Sequence, residues 1–120
     1  MKKISFLVLA FALLGLCTSA FAQSSHSVSL AWDAPVDSQN GKVGTVNVYK
    51  CVGPCTATST FTLLAGNVTP LGPYVDNTVG IGTDCYYVTL VVAGAESLPS
   101  NKVQATIIPA AVTNLKETSQ

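Results

Sequence analysis

The chain reads as an all-β antiparallel sandwich. Two observations say so. Apolar residues recur with period two rather than with a helical repeat, and clusters of Gly, Pro, Asn and Asp punctuate the chain about every 8–12 residues. A third fixes the sense of the strands. Nothing between them is long and periodic enough for a crossover helix, which parallel neighbours need.

Taken in order, Val28, Leu30 and Trp32 alternate with Ser27, Ser29 and Ala31, a strand with one buried face. Asp33-Ala34-Pro35 ends it, and Asp37 to Gly41 is a turn in which Asn40-Gly41 tolerates positive φ. Val46 and Val48 alternate with Asn47 and Tyr49, a second strand ending near Lys50. Cys51 to Cys55 reads as a loop centred on Gly53-Pro54. Phe61 to Ala65 is a short strand, and Gly66 to Pro73, with two Gly and two Pro, a loop. Tyr74 to Asp76 begins another strand, and Gly80-Ile81-Gly82 turns the chain. Cys85 to Val92 is the most β-prone run, apolar on both faces, so its register is open by one residue. Gly94 to Pro99 is a loop, and Lys102 to Ile108 the sixth and last strand. The expected core is Val28, Leu30, Trp32, Val46, Val48 and Cys85.

The first 22 residues are of another kind. Met1-Lys2-Lys3 is a positive start, Ile4 to Leu16 an apolar run, and Ala20-Phe21-Ala22 a cleavage signature. The run is too short for a membrane span. Cys17 admits a lipoprotein reading, but Leu16 before it is larger than a lipidation site prefers. Cleavage after Ala22 leaves residues 23–120, with a domain over 23–109 and a tail over 110–120. The expected location is secreted, periplasmic or extracellular, of the bacterial kind.

Charge excludes several functions. All six basic residues are lysines, and two belong to the leader. Four lysines then face six acids, which suits neither a nucleic acid nor a polybasic membrane contact. With one His and no Arg, few catalytic sets exist. His26 is the only general base, and nothing sets it beside a Ser and a carboxylate. No catalytic residues, cofactor or metal are expected.

Five segments in order resemble a fibronectin type III domain: Val28 to Pro35 its Trp-bearing second strand, Val46 to Lys50 its third, Tyr74-Val75-Asp76 its fifth, Gly82 to Val88 the opening of its sixth, and Glu96 to Asn101 the approach to its last. The resemblance implies an immunoglobulin-like sandwich serving as a spacer, adhesive module or accessory domain. There are departures. Cys85 stands where the family places the tyrosine of its corner, unless Tyr86 or Tyr87 supplies it in a shifted register. The first strand is missing before Ser27, while Pro109 to Lys116 resembles the beginning of a following domain.

The same topology brings Cys51, Cys55 and Cys85 to one end. Cys51–Cys55 needs only a tight Val-Gly-Pro loop and is the expected disulfide, with Cys85 a buried thiol; the rivals pair Cys85 with Cys51 or Cys55. These cysteines and His26 also permit zinc, less readily than oxidation in an exported chain. Asp33, Asp37, Asp76 and Asp84 invite calcium but read as turn capping and solubility. Asn67-Val68-Thr69 matches a glycosylation acceptor that a bacterial source leaves bare. Tyr49 and one tyrosine of the 85–92 strand suggest an aromatic stripe, more often cross-strand packing than a sugar platform. The expectation is a secreted, non-catalytic binding or structural module whose partner is an unidentified protein or polysaccharide, with no nucleic acid and no membrane span. The alternative is self-assembly, in which Ala111 to Leu115 pairs head-to-tail with a neighbour's open strand edge.

Overall fold

The computed structural model describes residues 26–119; the leader and its cleavage site lie outside the described residues. Seven strands follow in order: β1 His26–Leu30, β2 Thr45–Val52, β3 Thr62–Val68, β4 Tyr74–Val79, β5 Gly82–Val92, β6 Ala95–Glu96 and β7 Val103–Ile107. They form an antiparallel, sandwich-like arrangement of the immunoglobulin-like kind, with β1 and β4 as one sheet. The other sheet runs β3, β2, β5, with β6 and β7 both paired to β5. Among the described residues there is no α-helix, only a 3₁₀ turn at Val36–Ser38, and no helix long and apolar enough to cross a membrane.

Alternation builds the core. Val46 and Val48 of β2 point inward, and Val48 lies opposite Val88 of β5. That register turns Asp84, Tyr86, Val88 and Leu90 toward the other sheet and Cys85, Tyr87 and Thr89 away from it. Leu30, Val46, Val48, Val79, Tyr86 and Leu90 form the core cluster; Val28 and Trp32 pack against it, half-buried. Trp32 lies beyond the end of β1 rather than inside a strand. Its Nε1 donates to the Pro70 carbonyl at 2.9 Å. Its ring lies over Gly72 so closely that a Cβ there would come within 3.1 Å.

Boundaries differ from the sequence reading in several places, among them β5, which begins at Gly82 rather than Cys85. β3 continues through Gly66 to Val68, because a left-handed Asn67 (φ 58°) absorbs a register shift against β2. Ala95–Glu96 pairs back on β5 inside the expected loop, turned by left-handed Ala93 and Gly94. β2 continues to Val52, and Gly53 N–H extends the ladder by donating to the Thr83 carbonyl at 2.8 Å.

That last extension overturns the expected Cys51–Cys55 bridge. The disulfide is Cys55–Cys85, with Cα atoms 5.2 Å apart and a sequence separation of 30. Cys51 stays in the strand, directly opposite Cys85, as a half-buried free thiol. Gly53, at φ 123°, then turns the chain across β5, so Cys55 arrives over Cys85 instead of folding back on β2. Cys85 is buried as expected, but bonded rather than free.

Candidate binding face

Chemistry-bearing side chains gather in two places. The first is between the sheets. Asp76 of β4 is buried, and its Oδ2 accepts from the Lys50 ammonium at 2.9 Å and the Tyr86 hydroxyl at 2.9 Å. Its Oδ1 accepts from Thr78 N–H at 2.8 Å and Thr78 Oγ1 at 2.5 Å. Asp84 adds a second carboxylate 3.6 Å from Lys50. Burial pushes the Asp76 carboxyl up, but the hydrogen bonds from Thr78, Lys50 and Tyr86 outweigh it and hold the pKa at about 2. Burial first, then the Asp76 carboxylate, pushes the Tyr86 hydroxyl well above its usual range. The knot ties β4 to β2 and β5, and both Asp76 oxygens are occupied. Asp76 and Asp84 are therefore interior groups, not the solubilising turn residues their sequence context suggested; Asp33 and Asp37 are exposed. Tyr86, buried, turns its hydroxyl to a carboxylate rather than to solvent.

The second gathering covers the outer face of the larger sheet. Tyr49 stacks on Tyr87 with centroids 4.8 Å apart, and Phe61 tilts against Tyr87 at 4.6 Å. Lys102 Nζ stands 5.2 Å over the Phe61 ring. One oxygen of Glu96 accepts from Thr89 Oγ1 at 2.6 Å, from the Tyr49 hydroxyl, and from Asn47 Nδ2 at 3.4 Å. Hydrogen bonds from Thr89 and Tyr49 lower the Glu96 carboxyl below its ordinary value, and the bond to Glu96 raises the Tyr49 hydroxyl. Beside the rings the Cys55–Cys85 bond holds the loop after β2, and Cys55 N–H donates to Gln104 Oε1 of β7 at 3.1 Å. The rings pack on one another, so Tyr87 offers edges rather than a flat ring face. That is cross-strand packing, and it disfavours a sugar platform. Phe61, expected as the first residue of a short strand, lies just before β3 and supplies the third ring.

Among the described residues, two hollows open on the Trp32 side of the sandwich. A groove of about 250 Å³ runs between the end of β1 and β5 with β7, lined by Leu30, Trp32, Val88 and Val103 among others. It adjoins a second hollow of about 330 Å³ that shares Trp32, Asp33, Val88 and Ser100. Core side chains line both. His26 is half-buried at the other end of β1, paired with Val79. Among the described residues no group of three or more His, Cys, Asp or Glu is placed to hold a metal. Compared with protein-family models, curated proteins and solved structures, the chain matches none of them.

Proposed function

We propose that the chain is an exported, non-catalytic binding or structural module of the fibronectin type III kind, working in the bacterial envelope or outside it. The observation that carries the reading is how the reactive groups are used. Lys50, Asp76 and Tyr86 are joined in an internal knot, and Glu96 is engaged by three neighbours on its own sheet. What the described residues leave concave instead is one hollow of mixed polar and apolar lining and one mainly apolar hollow beside it. Export is supported by the leader and by a disulfide that an oxidising compartment sustains. The motif order and the immunoglobulin-like sheets support the family reading, while function is argued from these surfaces rather than from the fold.

Two measurements test it. Intact mass of secreted material should begin at Gln23, and a lipid-modified Cys17 would overturn simple secretion. The same material, screened on a polysaccharide and protein array and against chromogenic ester, phosphate and glycoside substrates, should give saturable binding without turnover. Turnover abolished by Lys50→Met would overturn the non-catalytic reading.

A further inference from the structure

Cys51 of β2 lies directly opposite Cys85 of β5, and Cys85 is already bonded to Cys55. The alternation that turns Val48 and Lys50 inward turns Cys51 to the outer face, where Cys85 also points. Directly paired residues of antiparallel strands have Cα atoms about 4.5–5.5 Å apart, inside the span of about 4.4–6.8 Å that a disulfide bridges. Cys85 therefore has two cysteines within bonding reach: Cys51 across the ladder, and Cys55 in the loop with Cα at 5.2 Å.

The two stand on opposite flanks. β5 runs between β2 and β7, and Cys85 is paired with Cys51 on the first and Gln104 on the second. Cys55 N–H donates to Gln104 Oε1 at 3.1 Å, which draws the loop cysteine toward the β7 flank. A thiolate displaces a disulfide sulfur in line, from the side away from the leaving sulfur. An attacker on the β2 flank and a leaving group toward β7 meet that requirement. Cys51 is half-buried, and its thiol donates to the Val52 carbonyl at 3.7 Å, a weak tie.

Loop closure barely chooses between the two partners. Cys51 precedes Cys55 by four residues, so the two bonds close loops of nearly equal length and differ by only about 1.2-fold in closure probability. Local contacts make the choice. Gln104 holds Cys55, and Ser59 Oγ donates to the Pro54 carbonyl at 3.0 Å and accepts from Thr56 N–H at 2.8 Å. These bonds are exposed to solvent, so each favours the tied loop by a modest factor.

We propose that Cys51, Cys85 and Cys55 form an internal thiol–disulfide exchange switch. The Cys51 thiolate attacks Cys85 Sγ, the Cys51–Cys85 bond forms, and the Cys55–Cys85 bond breaks. Cys55 leaves as a thiolate and takes up a proton in place of the one Cys51 gave to solvent. One disulfide and one thiol remain, so no oxidant or reductant is consumed. In the first state the loop after β2 is tied across β5. In the second the bond joins two strands that are already paired, and the loop is released with its thiol. The switch goes beyond the binding-module reading and needs only that the Cys55–Cys85 bond be formed.

Alkylation of the native protein, purified without reductant, tests it. The protein is incubated with iodoacetamide, quenched and digested in acid, and each labelled or bonded cysteine is located by fragmenting its peptide. Most molecules should carry the label on Cys51. A minor fraction should carry it on Cys55, with Cys51 bonded to Cys85. That fraction should not change on tenfold dilution, should rise about two- to fivefold in Gln104→Ala, and should vanish in Cys51→Ser. In Cys55→Ser, glutathione disulfide should drive formation of the Cys51–Cys85 bond. Label confined to Cys51 in both the parent and Gln104→Ala would overturn the switch. So would a Cys55 label that persists in Cys51→Ser, or one that grows with protein concentration. Every cysteine is read by its position, so the outcome is independent of whether the leader, with Cys17, is removed.

Discussion

The outer face of the larger sheet and the β1 side of the smaller one are finished in opposite ways. On the first, a disulfide holds a loop over β5, three rings pack on one another, and Glu96 gathers three donors. On the second, among the described residues, a groove lined in part by core residues opens beside Trp32. Among the described residues the domain thus packs side chains across one surface and leaves a hollow at the other. Stability should accordingly concentrate on the disulfide side, and adaptability on the Trp32 side.

The largest effect should come from the disulfide. Removing Cys55–Cys85 by Cys55→Ala in a Cys51→Ala background should cost roughly 3–4 kcal/mol by the loop-closure entropy of a 30-residue separation. Cys51→Ala alone should cost much less, measured by urea denaturation. The double background matters, because Cys51 lies opposite Cys85 and is placed to replace Cys55 as its partner. Non-reducing peptide maps should show Cys55 joined to Cys85, with Cys51 alkylated. A Cys51–Cys55 peptide would free the loop and dissolve the contrast between the two sides.

Next comes Trp32→Ala. Trp32 packs against the core only half-buried, so the loss should sit near the lower end of the usual range for such truncations, about 3 kcal/mol, including the hydrogen bond to Pro70. A loss below about 1 kcal/mol would mean that the hollow is too open for Trp32 to count as core.

The third effect is a pH dependence that belongs to the junction of the two sheets. Asp76 has its pKa depressed to about 2 from an ordinary 3.8. A carboxyl depressed by folding stabilises the native state above its unfolded pKa, and that stability is lost as pH falls through the folded value. The window is therefore about pH 4 down to pH 2, with a contribution on the order of 2 kcal/mol. Acid denaturation of Asp76→Asn should lack this component, and the variant should be less stable than the parent at neutral pH because Lys50 loses its closest counter-charge.

The sandwich was legible because alternation at Val28–Leu30 and Val46–Val48 has only one reading, and because Gly and Pro mark most turns. The disulfide was not. It depends on where β2 stops, and Cys51-Val52 is as compatible with a strand as with a loop; two residues of extension changed Cys55's partner. The buried knot was readable in principle, since Asp76 is two residues from Tyr74 and Asp84 two from Tyr86, which puts the acids on inward positions. Asp is also a residue that turns favour, and Asp76 and Asp84 lie close to the Gly80–Gly82 turn, so the two signals compete. Glu96 carried no local signal, because its three donors come from β2 and β5 and meet only once β6 has folded back.

The smallest effect is expected at Glu96, and it probes the covered face without disturbing it. Glu96 is exposed, and its carboxylate is held below the ordinary carboxyl range by the hydroxyls of Thr89 and Tyr49. Whatever stability it adds is present above that range and fades as the carboxylate is protonated at lower pH. Solvent screens an exposed group, so Glu96→Gln should barely move a denaturation midpoint. It should instead move a titration. The Tyr49 hydroxyl ionises late chiefly because it donates to the Glu96 carboxylate; a neutral amide accepts more weakly and adds no negative charge beside the tyrosinate. Tyrosinate absorbance should therefore show one tyrosine titrating earlier in Glu96→Gln, with Tyr86 still protected by Asp76. An unchanged curve would mean that β6 does not hold Glu96 over Tyr49 in solution, and the covered face would then rest on the disulfide and the rings alone.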